Sequence, residues 1–429
     1  MKLADMLNDL FVADERVRFT AYDGSSAGPD DAPVHLQVVS PKAFAHLVRA
    51  PGQIGLARAY VDGEINVEGD MYTALRSLRV PQLSNLRVGE LRQLATEVGR
   101  NATHRVRRPP EEARLRGRRH SKRRDAAAIA HHYDVSNRFY ELVLGPSMAY
   151  TCAVYPRADA TLEEAQHEKH DLVARKLGLR PGLRLLDVGC GWGGMVMHAA
   201  KHYGVRALGV TLSRAQAEWA QQRIAEAGLG DLAEVRHLDY RDVTETRFDA
   251  ISSIGLTEHV GKANLPAYFR FLYGKLQPGG RLLNHCIMRP RNVEPHFKRR
   301  GFINRYVFPD GELLGLGHIV SVMQDAGGFE IRHEENLREH YAKTLTAWSA
   351  NLDAHWEACV AEAGERRARV WRLYMPGSRL GFERNEIQLH QVLAVKADAG
   401  RSGMPLRPIW ETAADLAKST GKVGTALPS

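Results

Sequence analysis

Short apolar runs recur along the chain from about residue 126 onward, and stretches with helical periodicity separate them. Runs of this length are typical of buried strands. Because alternating strands and helices favour parallel pairing with helices on both faces, the pattern predicts an α/β fold. The predicted strands are Leu183–Val188, Ala207–Thr211, Ala233–Leu238, Phe248–Ile254, Arg281–Ile287, Phe329–Glu334 and Ile387–Val395, with helices at 195–203, 213–227 and 264–276.

The amino-terminal residues 1–95 show a different pattern and are predicted to form a small α+β domain. Two predicted strands, Val17–Tyr22 and Val34–Val39, precede a helix that opens at Ser40-Pro41 and a second helix at Ile54–Val61. Nothing in this region resembles a catalytic constellation. Docking of lipid or substrate, or dimerisation, is therefore the expected role, and a homo-oligomer stays open.

The rest of the chain is predicted to consist of a main domain with two insertions and a carboxyl-terminal tail. Residues 126–396 are predicted to form the main domain, with a loop-rich insertion at 288–314 and a helical insertion at 337–385. The tail at 397–429 contains Gly and Pro and is expected to be peripheral or disordered.

A glycine-rich turn follows the strand at Leu183–Val188 and carries Gly189, Gly191, Gly193 and Gly194. A strand, such a turn and a helix present backbone N–H groups to a small ligand at the carboxyl end of a parallel sheet. A dinucleotide site would need Gly-x-Gly-x-x-Gly and an acidic residue ending the second strand. This chain has neither, so the turn predicts a different nucleotide-like ligand.

The charge of the chain is concentrated in one segment. The whole chain has a net charge of +9, and residues 100–124 alone hold eleven Arg or Lys against Glu111 and Glu112. Residues 96–125 are therefore interpreted either as a solvated basic linker or as an attachment to a polyanion. The segment lacks aromatic residues for base stacking, so an anionic membrane surface is favoured and nucleic acid is not expected.

The lengths of the apolar runs and the spacing of the cysteines indicate where in the cell the protein is expected. No apolar run approaches the roughly 18 residues that a spanning helix needs, and the amino terminus lacks a signal-peptide core. The four cysteines are widely spaced and form no Cys-x-x-Cys pair, which argues against a disulfide framework or a zinc site. A cytoplasmic protein, peripheral at the inner membrane face, is expected.

The glycine turn resembles the first motif of class I S-adenosylmethionine-dependent methyltransferases, and Asp239 matches their adenine-side contact. Further motifs resemble the cyclopropane-fatty-acyl-phospholipid synthase family, which includes the mycolic acid cyclopropane synthases. They are His132-Tyr133-Asp134, Tyr150-Thr151-Cys152-Ala153, Gly255-Leu256-Thr257-Glu258-His259-Val260-Gly261, Asn284-His285-Cys286-Ile287 and His340-Tyr341-Ala342-Lys343-Thr344-Leu345. The resemblance covers residues 126–395 and implies a Rossmann-like, mostly parallel sheet of seven strands.

The resemblance also implies the ligands: S-adenosylmethionine and, beside it, a bicarbonate ion, with no metal. The positions that match the donor contacts are Tyr150, Thr151, Asp187, Gly189, Gly191, Trp192, Thr211, Gln216, Asp239 and Tyr240. The positions that match the bicarbonate pocket are Cys152, Glu258, His285, Ile287 and Tyr341, with Cys152 and Ile287 acting through backbone groups. Glu258, His285, Tyr341 and Cys152 are the implied catalytic residues.

The implied chemistry explains these residue types. A cis alkene is a weak nucleophile, so the sulfonium methyl must be held in near-attack geometry against it. Methyl transfer leaves a carbocation that water would capture, which requires a dry, apolar pocket. A weak base oriented by Glu258, His285 and Tyr341 then removes a proton from the new methyl group. The amino-terminal domain resembles that of the phospholipid-acting members, which favours unsaturated phospholipid acyl chains as substrate.

At two positions this chain differs from the residue that is most common in the family. Thr257 precedes Glu258 where an aromatic or large apolar residue is frequent, and Asn284 precedes His285 where leucine is usual. Both departures resemble an actinobacterial branch that makes 10-methylene acyl chains. A cyclopropane product and a 10-methylene product therefore both stay open.

Rival functions are also compatible with the residues. Glu258 alone is commonly a solvent-facing acid, and His285 alone is commonly a buried core histidine; their joint occurrence at strand ends favours a site. A methyltransferase acting on a small metabolite or nucleic acid is one alternative. A catalytically inactive lipid-binding protein is another.

Overall fold

The computed structural model describes residues 2–50, 52–79, 96, 99, 105–113, 115, 117–133, 135–293 and 301–410. Arg100, Arg114, Arg116, Asp134 and the predicted tail beyond 410 lie outside these residues. The helices are α1 (Leu3–Phe11), α2 (Lys42–Arg49), α3 (Gln53–Val61), α4 (Met71–Ser77), α5 (Lys122–Tyr133), α6 (Asn137–Leu144), α7 (Leu162–Leu177), α8 (Gly194–Tyr203), α9 (Arg214–Glu226), α10 (Thr257–Val260), α11 (Leu265–Lys275), α12 (Phe302–Tyr306), α13 (Leu316–Asp325), α14 (Arg338–Ala354), α15 (Trp356–Ala363) and α16 (Glu365–Glu383). The strands are β1 (Val17–Ala21), β2 (Ser26–Ala27), β3 (Val34–Val38), β4 (Ile65–Glu68), β5 (Arg184–Val188), β6 (Arg206–Thr211), β7 (Ala233–His237), β8 (Phe248–Ile254), β9 (Leu276–Met288), β10 (Glu330–Asn336) and β11 (Gln388–Val395).

The first sheet belongs to the amino-terminal region and has the strand order β2-β1-β3-β4. The predicted strands β1 and β3 are confirmed, and each alternates buried with partly buried residues, so one face of the sheet lies in the core. They pair in parallel, while β4 pairs antiparallel with β3. Helix α1, which the sequence analysis did not predict, buries an apolar face that includes Leu3, Met6 and Leu10.

The second sheet has seven strands in the order β10-β11-β9-β8-β5-β6-β7. Strands β9, β8, β5, β6 and β7 are parallel, whereas β11 runs antiparallel to both β9 and β10. The predicted mostly parallel α/β fold is therefore confirmed. Strand order reverses beside β5, because the chain passes first to β6 and later to β8 on its other side. Such a reversal opens a crevice at the carboxyl ends of the strands.

The loop-rich insertion is more ordered than the sequence indicated, and the helical insertion is helical as predicted. Helix α12 lies within the segment predicted as loop-rich, and α14, α15 and α16 fill the helical insertion. The described part of the tail, 397–410, is peripheral as expected, because none of its residues is buried, and its end is held against the main domain. Arg175 donates to the carbonyl oxygen of Trp410 at 2.7 Å, and the Trp410 ring packs against two core clusters.

The amino-terminal region packs on helix α16 of the main domain. Arg369 donates to the carbonyl oxygen of Tyr60 at 3.1 Å, and Arg372 donates to that of Gly69 at 3.1 Å. The Tyr72 hydroxyl donates to the Glu383 carboxylate at 2.6 Å. Among the described helices, we find none with the length and apolar character needed to cross a bilayer.

Candidate active site

The glycine turn after β5 has the conformation that its sequence requires. Gly189 and Gly191 have φ angles of +75° and +55°, which L side chains rarely adopt. The N–H groups of Gly189 and Cys190 both donate to the carbonyl oxygen of Val210, at 2.9 and 3.0 Å. The turn is thereby fixed against β6, and helix α8 begins directly after it.

A cavity of about 400 Å³ lies beside this turn, and we call it the donor cavity. Thr211 and Gln216 line it, and the Thr211 hydroxyl donates to the Gln216 side-chain oxygen at 2.8 Å. The predicted donor-binding residues that line this cavity are Gly189, Gly191, Thr211, Gln216 and Tyr240.

Three other predicted donor contacts point elsewhere in the described structure. Asp187 is buried and accepts a hydrogen bond from the Ser252 hydroxyl at 2.6 Å, and burial raises its pKa to about 6. The Trp192 indole donates to Asn137 at 2.9 Å. The Asp239 carboxylate accepts two hydrogen bonds from the Arg241 guanidinium, at 2.8 and 2.6 Å. These three residues do not line the cavity, and their contact with a donor stays a prediction.

The end of the predicted basic connector forms one wall of the donor cavity. Helix α5 begins at Lys122, before the predicted boundary at 126, and His120, Asp125 and Ile129 line the cavity. The Arg124 guanidinium binds both carboxylate oxygens of Asp310, with one contact at 2.9 Å. Because this ion pair and its neighbours hold the segment across the cavity, this end of the connector is not a solvated linker.

A second cavity of about 230 Å³ adjoins the first, and we call it the acyl cavity. Gly255, His259 and Phe308 line both cavities. Most of the remaining lining of the acyl cavity is aliphatic or aromatic and comes from the late helices, α12 and the start of β11. It includes Ile303, Leu313, Leu345, Tyr374, Phe382, Ile387 and Leu389.

Glu258 lies on the short helix α10 at the boundary of the acyl cavity and is 7% exposed. Its Oε1 accepts a hydrogen bond from the backbone N–H of Ile287 at 2.6 Å. Its Oε2 is buried and has no hydrogen-bond partner among the described residues. Burial raises the pKa of this carboxyl to about 7, because desolvation disfavours its charged form.

His285 on β9 supplies a second unpartnered atom at the same cavity. Gln391 directs its oxygen to the Lys176 ammonium at 2.7 Å, which leaves its NH₂ group to donate to His285 Nδ1 at 3.3 Å. The proton of the neutral imidazole then belongs on Nε2, which has no partner among the described residues. Complete burial lowers the pKa of His285 well below its usual value, so the ring is neutral at pH 7.

The other implied catalytic residues differ in their placement. Tyr341 lines the acyl cavity, with its ring centroid 4.5 Å from that of Phe382. Ile287 lines the cavity as well, and its N–H is bonded to Glu258. Cys152 is fully buried and does not line the cavity, and burial raises the pKa of its thiol. The predicted backbone role of Cys152 at this site therefore stays a prediction.

Tyr150 and Thr151 were predicted to contact the donor and lie in the acyl cavity, beside the donor cavity. The Tyr150 hydroxyl donates to that of Tyr374 at 3.1 Å. Lys169 on α7, which the sequence analysis missed, donates to the Thr151 hydroxyl at 3.1 Å. Burial lowers the pKa of Lys169 to about 8. Only its complete burial marks this lysine, since a lysine within Gln-His-Glu-Lys-His resembles an exposed helix position.

Thr257 and Asn284, the two residues that differ from the common family pattern, form a hydrogen bond with each other. The Thr257 hydroxyl donates to the Asn284 side-chain oxygen at 2.5 Å, and both residues are buried. Neither lines the acyl cavity. Because Asn284 and His285 are adjacent on β9, their side chains point to opposite faces of the sheet. The pair therefore lies behind the catalytic candidates.

Comparison with known proteins agrees with this geometry. Residues 120–392 match the family model for mycolic acid cyclopropane synthetase. A probable fatty acid methyltransferase of Mycobacterium tuberculosis, Rv3720, is 53% identical over 96% of this chain and 99% of its own length. The Escherichia coli cyclopropane-fatty-acyl-phospholipid synthase is 33% identical over 84% of this chain and 88% of its own.

Solved structures show the same likeness. The mycolic acid cyclopropane synthase CmaA1, complexed with SAH and CTAB, has a TM-score of 0.59 and 35% identity. The match covers 63% of this chain and 97% of CmaA1.

The fold and the glycine-turn cavity together define a class I S-adenosylmethionine-dependent methyltransferase. More narrowly, the chain belongs to the mycolic acid cyclopropane synthetase family, and it is a methyltransferase of the lipid-modifying, cyclopropane-synthase type.

Proposed function

We propose that this enzyme transfers a methyl group from S-adenosylmethionine to the cis double bond of an unsaturated phospholipid acyl chain. The C–S bond of the sulfonium breaks as a C–C bond forms, and a proton then leaves the added methyl group. The observation that carries the proposal is the pair of buried, unpartnered atoms, Glu258 Oε2 and His285 Nε2, at a cavity whose lining is mostly aliphatic or aromatic. Buried polar atoms of this kind indicate a polar ligand.

The unpartnered atoms fit a bicarbonate ion. His285 Nε2–H is a donor, Glu258 with its raised pKa carries either a donor or an acceptor, and Tyr341 lies at the same cavity. When bound, bicarbonate would supply a weak base near the reacting carbon. The neutral ring of His285 adds no second positive charge beside a carbocation, whereas an ionised Glu258 would stabilise it.

The remaining lining favours an acyl chain. Most side chains that line the cavity are aromatic or aliphatic and offer water few hydrogen bonds, which would protect a cation from capture. Ile303 lines the cavity and keeps 36% of its surface exposed, so an apolar residue lies at the solvent-facing edge. This arrangement suits a substrate that enters from a bilayer.

A phospholipid is favoured over a free acyl chain by the amino-terminal region. The Escherichia coli synthase aligns over 84% of this chain, whereas CmaA1 aligns over 63%, close to the family match at 120–392. The extra alignment extends into the region that packs on α16. Because α16 contributes Tyr374 and Phe382 to the acyl cavity, the amino-terminal region braces that cavity directly.

Attachment to an anionic membrane surface at the inner face is part of the proposal. Arg105, Arg107, Arg118 and Arg123 of the connector are exposed. Each contributes on the order of 1 kcal/mol near an anionic surface.

The product is proposed to be either a cyclopropane or a 10-methylene chain. Both outcomes share methyl transfer and the cation, and the second adds a hydride shift before the proton leaves. Thr257 and Asn284 would act by positioning Glu258, because they bond to each other next to it and do not line the cavity.

The test uses vesicles of dioleoyl phospholipid with S-adenosylmethionine, followed by mass spectrometry of the released acyl chains. A gain of about 14 mass units supports the proposal, and proton NMR of the product then separates ring protons from those of an exocyclic methylene. No acyl gain with wild-type enzyme overturns it. Vesicle binding without turnover would favour an inactive lipid-binding protein, and methylation of RNA or a small metabolite would favour the other rival.

A further inference from the structure

Helices α7 and α8 bring three histidines together outside both cavities. They are His167, His198 and His202, and one ligand atom of each lies within 4.8 Å of the others. The ring centroids of His198 and His202 are 4.7 Å apart, and those of His167 and His198 are 4.9 Å apart. His198 and His202 are four residues apart on one helix, so both face the same neighbour.

His198 is the buried member of this histidine cluster, with 7% of its surface exposed. Its Nε2 forms no hydrogen bond within the described part of the chain. The nearest carboxylate oxygen, Asp171 Oδ1, lies 3.5 Å away and already accepts a hydrogen bond from the Tyr203 hydroxyl at 2.6 Å. An interior imidazole nitrogen whose nearest acceptor is this distant and already bonded is poorly satisfied, and a bound cation would satisfy it.

The chemistry of the cluster selects a class of cation. Imidazole nitrogens suit zinc, nickel and copper, and three of them with one open position are a known ligand set for zinc. Zinc–nitrogen distances of about 2.0–2.1 Å place tetrahedral ligand atoms about 3.4 Å apart. The atoms here lie up to 4.8 Å apart and must therefore converge by as much as about 1.4 Å, and His167 and His202 are exposed and able to rotate. Water or Asp171 would fill the fourth position.

We propose that His167, His198 and His202 bind a divalent cation of the zinc class. The ion would join α7 to α8. Helix α7 carries Lys169, which contacts Thr151 in the acyl cavity, and helix α8 begins at the glycine turn. The ion would therefore fix the relative position of two helices next to the active site. Cysteine spacing does not reveal such a site, because no cysteine takes part in it.

The experiment titrates zinc chloride into the untagged full-length protein by calorimetry and records thermal unfolding with and without the metal. We expect one zinc ion per chain and a rise of about 3 °C in the unfolding midpoint at saturation. Cobalt(II) should give the intense visible absorption of a tetrahedral site. Absence of stoichiometric zinc binding overturns the proposal.

Substitution of single histidines tests which residues bind the zinc ion. His202→Asn and His167→Asn change exposed side chains, so folding should survive, and each should weaken zinc binding about tenfold or more. His355→Asn is the matched control, because His355 is an exposed histidine at the end of α14, outside the cluster. Unchanged zinc affinity in both cluster variants, or an equal loss in the His355→Asn control, contradicts the assignment.

Discussion

The donor cavity and the acyl cavity share Gly255, His259 and Phe308 but are built in different ways. Backbone conformation at the glycine turn and the ends of β5 and β6 define much of the donor cavity. The acyl cavity is enclosed mainly by side chains from segments far apart in the chain. Its lining includes a buried carboxyl and a buried imidazole, Glu258 and His285, and each has an atom without a partner among the described residues.

This difference separates binding from chemistry. The donor cavity resembles the ligand crevice of many parallel sheets, and its features identify a class of ligand. The acyl cavity combines apolar walls with Glu258 and His285, which suits a reaction that makes a cation and then loses a proton. We therefore expect mutations in the two cavities to affect different measurements.

The largest expected effect is the loss of turnover in Glu258→Gln. The amide keeps the shape of the side chain but removes its titratable carboxyl, so turnover should fall by about 10²–10⁴-fold. The dissociation constant for S-adenosylmethionine should stay within about threefold, since Glu258 does not line the donor cavity. Radiometric methyl transfer and calorimetry measure the two quantities.

Glu357→Gln is the matched control for this substitution, because Glu357 is exposed on α15. It should leave both turnover and donor affinity unchanged. If Glu258→Gln instead lowers donor affinity as much as turnover, the two cavities do not divide binding from chemistry.

The same carboxyl should make stability depend on pH. Its pKa is raised from 4.5 to about 7, so between these values the folded chain binds more protons than the unfolded chain. Stability from this group therefore falls as pH rises from 4.5 to 7, by on the order of 3 kcal/mol. As the pH is raised from 5 to 8, the free energy of unfolding of Glu258→Gln should therefore increase relative to that of the wild type. Denaturant unfolding at both pH values tests this, and a constant difference between the two proteins would contradict it.

Much of the fold was predictable because its signals are local. The strands at β5, β6 and β8 and the glycine turn follow from short apolar runs and punctuating glycines. Helix α1 was missed even though its buried residues Leu3, Met6, Leu7 and Leu10 recur at helical spacing, so its signal was local as well. The packing of Trp410 was missed because its partner Arg175 lies far away in sequence.

The candidate site was predictable only in part. Residue type and resemblance selected Glu258 and His285, but not which of their atoms lack partners. Lys169 and the histidine cluster arise where α7 meets other elements, and a single stretch of sequence does not show such contacts. The ion pair of Arg124 with Asp310 rules out the solvated-linker interpretation for one end of the connector, and it too joins residues far apart in sequence.

The donor cavity should respond to a smaller change in the backbone. Gly189→Ala places a Cβ 3.2 Å from Leu256 at a φ angle of +75°, which costs about 1–2 kcal/mol. We expect S-adenosylmethionine affinity to fall about tenfold. Gly274→Ala is the control, because its Cβ meets no atom within 4 Å. Equal donor affinity in the two variants would show that the turn does not shape the cavity.

The smallest expected effect concerns the connector, where neighbouring arginines differ in environment. Arg124 pairs with Asp310 at the wall of the donor cavity, whereas Arg123 is exposed. Arg124→Gln should loosen that wall and weaken donor binding about threefold to tenfold, since hydrogen bonds to charged groups contribute about 1.5–3 kcal/mol and part of this is recovered from water. Arg123→Gln should leave donor binding unchanged and weaken binding to anionic vesicles instead. Calorimetry and vesicle sedimentation at two salt concentrations distinguish these roles, and identical behaviour of the two variants would mean that the connector acts as one uniform basic segment.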